Sequence, residues 1–149
     1  MLQKDRKPLS SKLDAINRTE TLCKNVINTV NDNDKIPTRK RSLVGNRMVD
    51  HALHAYEFAR YANLIEVKDL ETAQLRLGYE RSAEKEMFDL CTNLRLLPCA
   101  VNETPTCKWI VHLQEEAHSC FILLSKWRAS DELRFNKYKK VNPFLYCSS

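Results

Sequence analysis

Glycine is nearly missing: 149 residues contain two, Gly45 and Gly78. A chain so poor in glycine has little material for the tight hairpin turns that β-sheets depend on. No apolar run approaches the roughly 20 residues a membrane span needs, so no membrane partner is expected. The opening residues, MLQKDRKPLSSKLD, lack an apolar h-region, so no secretory signal is expected. No Cys-x-x-Cys pair occurs, which removes the commonest structural zinc pattern. There is no glycine-rich phosphate loop and no nucleophile elbow, so neither of these chemistries is expected, and no cofactor is expected.

Six cysteines are present: Cys23, Cys91, Cys99, Cys107, Cys120 and Cys147. Most fall at apolar helical positions, where a thiol packs as a small hydrophobe, so reduced thiols in a cytoplasmic protein are expected. The net charge of +5 permits an anionic partner without demanding one.

Alanine, leucine, glutamate, lysine and arginine dominate what is there, and prolines 8, 37, 98, 105 and 143 fall between periodic segments. They divide the chain into helices over about 11–31, 41–65, 69–97 and 105–130. The expected fold is all-α, an antiparallel up-down four-helix bundle over 1–131, followed by a basic-aromatic tail over 132–149.

Each helix carries its own signals. Ser11 with Asp14 resembles a capping box, and Leu13, Ile16, Cys23, Ile27 and Val30 keep helical spacing. In the second helix Gly45, Met48, Ala52, Ala55, Ala59 and Ala62 form one face of mostly small residues. Such a face lets a neighbouring helix approach closely, which offsets glycine's cost of about 1 kcal/mol relative to alanine. Asp69 is placed to cap the third helix. Thr104 and Pro105 read as the cap and first residue of the fourth, whose seam is Ile110, Leu113, Ala117, Cys120, Leu124 and Trp127. Trp109 and Trp127 are expected as core or subunit-interface anchors.

Two basic stretches stand out. Arg39, Lys40 and Arg41 precede the second helix, where a helix N-terminus disfavours cations, and Arg47 follows them. Phosphates would relieve that repulsion, so a nucleic-acid contact is expected there. Further on, Lys126, Arg128, Arg134, Lys137, Lys139 and Lys140 interleave with Phe135 and Tyr138, a pattern suited to stacking on unpaired bases.

Glu80 and Glu84 interrupt an apolar seam and are expected to meet Arg76, Arg81 or an arginine of another helix. Glu115 and His118 are half of a di-iron signature whose other half is missing, so no metal site is expected. Arg47 and His54, with six residues between them, match the Arg-x(4–6)-His spacing of HEPN ribonucleases, in which histidine moves protons and arginine stabilises charge on phosphate. A scaffold that binds only protein is the third reading.

A first helix, then IPTRKRSLVGNRMVDHAL, then RLGYERSAEKEMFDLCTNLRLL, then a closing FILLSKWRAS resembles the four-helix-bundle family of the accessory variability determinant (Avd) of diversity-generating retroelements. Proteins encoded in intervening sequences of 23S rRNA genes belong to the same family. The resemblance implies a non-catalytic accessory protein that binds a reverse transcriptase and RNA or DNA, and that assembles with itself as a homopentameric ring.

Overall fold

A computed structural model describes residues 10–140. Among them the elements are α1 (Ser10–Val30), a 3-10 turn (Thr38–Lys40), a wide π-type turn (Arg41–Gly45), α2 (Asn46–Leu64), α3 (Leu70–Ala100) and α4 (Lys108–Lys140), with no strand. The expected all-α class and four helices are therefore present. α1 packs against α2 and α4, and α3 packs against α2 and α4, so the four helices close around a main core, with a smaller cluster at Ala73, Leu77 and Phe135.

That core is built from the stripes that sequence periodicity exposes, with local corrections. The small face of α2 is buried as expected, with Met48, Ala52, Ala55, Ala59 and Ala62 at most 1% exposed. The seam of α4 is buried from Ile110 to Trp127 and continues one turn at a time through Asp131 and Phe135. In α1 the buried residues are Ala15, Ile16, Thr19, Leu22, Cys23, Val26, Thr29 and Val30, whereas Leu13, expected in the seam, is 49% exposed. Thr19 fits the interior because its hydroxyl donates to the Ala15 carbonyl at 2.7 Å.

Several expected boundaries move. Pro98 does not lie between helices but inside the last turn of α3. Proline has no N–H to offer the carbonyl of Leu94, and Gln114 of α4 supplies the missing donor at 2.9 Å. The helix then ends in a Schellman arrangement: Asn102 adopts a φ of 57°, Asn102 N–H donates to Cys99, and Glu103 N–H donates to Pro98. α4 begins at Lys108, not at Pro105, because Thr104 and Cys107 close a separate turn first. At its other end α4 runs to Lys140, past the expected limit near 130, because Phe135 finds a buried place beside Ala73 and Leu77.

The Asp69 cap is present, with the Asp69 carboxylate accepting from Thr72 N–H and the Thr72 hydroxyl accepting from Asp69 N–H. That backbone bond, followed by the hydroxyl contact, holds the Asp69 carboxyl below its usual range. α1 already includes Ser10, ahead of the expected start at Ser11, and Asp14 faces Arg18 at 3.6 Å. Pro8, Pro143 and Cys147 lie outside the described residues.

Gly45, just ahead of α2, sits against Val30 at the end of α1. A Cβ added there would stand 2.8 Å from Val30 Cγ1, inside any ordinary contact distance. Gly78 has no such neighbour within 4 Å.

Candidate nucleic-acid interface

The basic entry resolves into cations of two kinds. Arg41 turns back onto the end of α1: its Nε donates to the Val30 carbonyl at 3.0 Å, and its terminal nitrogen donates to the Asn31 carbonyl and to Asn33 Oδ1. Lys40 reaches the end of α3 and donates from Nζ to the Ala100 carbonyl. Both cations therefore sit at helix C-termini, where orphan carbonyls and the negative end of the helix dipole favour positive charge. Their position ahead of α2 is locally unfavourable, yet the fold places them at the favourable ends of two other helices. This replaces the expectation that the cluster needs phosphate to relieve it.

Arg39 and Arg47 are different. Both are exposed, and among the described residues neither has an acidic group within 4.0 Å. They flank the turn in which Asn46 N–H reaches back to the Arg41 carbonyl, the wide spacing that re-aims side chains relative to a regular helix.

The second stretch divides in the same way. Arg128 grips Glu84 through two nitrogens, at 2.6 and 3.3 Å, and also meets Glu132. The Glu84 hydrogen bond, more than any other contact, raises the Arg128 pKa above its ordinary value. Arg134 bonds Asp131 at 2.6 Å. Phe135 is buried, so its ring is not presented for base stacking, contrary to the sequence expectation, and Tyr138 is half-buried beside it. Lys126, Lys137 and Lys139 remain exposed, and the side chain of Lys140 lies outside the described residues.

Geometry keeps the two patches apart. Lys40 marks the Ala100 end of α3, while Asp131, to which Arg134 donates, bonds Arg76 near its beginning. The intervening stretch of α3 is roughly 36 Å long at 1.5 Å per residue. The chain thus carries two separate basic surfaces, not one.

Between the helices at the second end lies a charged cluster that sequence reading only half anticipated. Arg76 donates from Nε to Asp131 at 3.0 Å and stands 3.9 Å from Glu80, with all three side chains buried. As a carboxylate, Glu80 has no donor for either oxygen. Burial first, and then the neighbouring Asp131, which accepts a hydrogen bond from the protonated group, push Glu80 up to about 10. It is therefore a neutral acid at ordinary pH. Lys12 approaches the same cluster, and burial followed by repulsion from Arg76 lowers its pKa. The Arg76 guanidinium also lies over the Trp127 ring at 5.8 Å, and the Trp127 Nε1 is buried without a partner. Asp131 was legible as the next residue of the α4 seam after Trp127, but a charged residue at a seam position reads as the seam's end.

Trp127 is thus a core residue, as expected, while Trp109 is half-buried with Lys35 Nζ over its ring at 5.7 Å. The buried thiols of Cys23 and Cys120 are pushed up to about 12 by burial, which makes them unreactive packing groups. Arg47 and His54 are both exposed on α2, and His54 Nδ1 lies 4.0 Å from Glu86. Among the described residues no helix is long and apolar enough to cross a membrane. Comparison with protein-family models, curated proteins and solved structures gave no match, so sequence and geometry carry the functional reading.

Proposed function

We propose that this chain is a non-catalytic nucleic-acid-binding accessory protein, Avd-like in kind, that works beside a reverse transcriptase. The observation that carries the reading is that each of the two basic stretches keeps exposed cations after its ion pairs are assigned: Arg39 and Arg47 in the first, Lys126, Lys137 and Lys139 in the second. Their chemistry suits phosphate backbone, which needs charge and reach rather than a shaped pocket.

The proposed architecture is an up-down antiparallel bundle. Supporting it, late α1 meets early α4 through Asn25 and Glu116, and late α3 meets early α4 through Leu94 and Gln114. Self-association into a ring, a pentamer by the resemblance, would repeat each basic patch around a rim and raise affinity by avidity. Exposed apolar side chains on α3 and α4, among them Phe88, Leu96 and Ile122, are available for such contacts.

The test is a salt titration of the purified protein with end-labelled structured RNA, read for retardation and for cleavage. Binding that falls steeply with salt and leaves the RNA intact supports the proposal. Changing Arg39 and Arg47 to Gln should flatten the salt dependence, by about 0.7–0.9 in slope for each phosphate no longer neutralised. Absence of binding at low salt refutes nucleic-acid recognition and favours the protein scaffold. Cleavage that disappears in His54→Ala would instead assign a ribonuclease to Arg47 and His54.

A further inference from the structure

We propose that His51, Glu86 and Asp89 form a binding site for a divalent transition-metal ion of the zinc class, bridging α2 and α3. Each residue offers one ligand atom, and these atoms all lie within 4.8 Å of one another. All three residues are half-buried, which limits competition from bulk water while leaving a path for an ion. Imidazole nitrogen and carboxylate oxygen together suit zinc and its first-row neighbours better than magnesium or calcium, which prefer oxygen alone.

The spacing needed is close to the spacing present. Ligands at about 2.0–2.2 Å from zinc in tetrahedral array stand roughly 3.3–3.5 Å from one another. His51 Nδ1 and Glu86 Oε2 are 2.6 Å apart, so they must separate by less than an ångström, and the other pairs, within 4.8 Å, must close by at most about 1.5 Å. Side-chain rotation supplies shifts of that size without moving either helix. His54 stands one turn beyond His51, with Nδ1 4.0 Å from the same Glu86 oxygen, and is placed to become a fourth ligand.

The electrostatics favour a cation. Among the described residues neither Glu86 nor Asp89 has a lysine or arginine within 4.0 Å. Their neighbours are imidazoles, which carry charge only when protonated. A bound dication would neutralise both carboxylates at once and tie α2 to α3. Sequence spacing concealed the site because its ligands come in two i,i+3 pairs on different helices, neither of which is a metal motif alone.

The experiment is calorimetric titration of the full chain with zinc, alongside visible absorption after cobalt(II) addition. A single zinc with cobalt ligand-field bands of a nitrogen–oxygen site is expected, together with a rise in melting temperature. Asp89→Asn is the decisive variant, because Asp89 makes no ion pair or side-chain hydrogen bond among the described residues. It should leave metal-free stability unchanged and weaken zinc binding by at least about 10-fold. Glu86→Gln should weaken it at least as much, while Cys99→Ser and His112→Ala, which remove an exposed thiol and a distant histidine, should leave it intact. Absence of zinc binding, or binding unaltered in Asp89→Asn and Glu86→Gln, would overturn the site.

Discussion

Replacing Gly45 with alanine tests whether close helix approach is the reason for glycine at that position. Alanine is the better helix former by about 1 kcal/mol, and Gly45 already has helical dihedrals of −63° and −48°. Propensity alone therefore predicts stabilisation. Packing predicts the reverse, because the new Cβ would lie 2.8 Å from Val30 Cγ1 and 3.6 Å from Cγ2. Val30 is β-branched and nearly fixed in its rotamer, and Arg41 holds its carbonyl, so it yields poorly. Overpacking of this kind costs about 1–3 kcal/mol.

The balance is a net loss of about 1 kcal/mol for Gly45→Ala. Gly78→Ala provides the matched control, since nothing lies within 4 Å of its added Cβ, and a gain of about 0.5–1 kcal/mol is expected there. Urea unfolding followed by circular dichroism would read both, with melting shifts of about 2–4 °C per kcal/mol for a chain of this size. In a Val30→Ala background Gly45→Ala should turn stabilising, a coupling of at least about 1 kcal/mol. Equal gains from both glycine substitutions, with no coupling to Val30, would refute the packing argument.

Two further outcomes follow from the charged groups. Glu80 binds its proton more tightly in the folded chain than in the unfolded one, so its contribution to stability is complete below pH 4.5 and is lost as pH rises towards about 10. Glu80→Gln, neutral at every pH, should keep the fold and show a shallower fall in stability between about pH 5 and 9, whereas superimposable pH profiles would show that Glu80 is not a neutral acid. Arg41→Ala should cost about 1–2 kcal/mol by freeing the Val30 and Asn31 carbonyls, against less than about 0.5 kcal/mol for the exposed Arg39→Ala, measured by urea unfolding. Equal costs would deny Arg41 its capping role.

Helix class, the number of helices and most of the core could be read from local pattern. Apolar spacing at three and four residues reports which face of a helix is buried, whatever it is buried against, so the stripes of α2 and α4 were visible in the chain. The Asp69 cap was visible for the same reason: its partner Thr72 is three residues away.

What escaped local reading involves partners distant in sequence. Pro98 can sit in a helix because Gln114 repairs the bond it breaks. Lys40 and Arg41 look misplaced beside α2 until the ends of α1 and α3 are brought to them. Glu80 becomes a neutral acid through burial against Asp131, and the His51, Glu86 and Asp89 ligand set exists because α2 and α3 pack side by side. Periodicity is a property of one helix, but a carbonyl's donor, a carboxyl's proton affinity and a ligand set each belong to two or more elements, so they come into being when those elements pack.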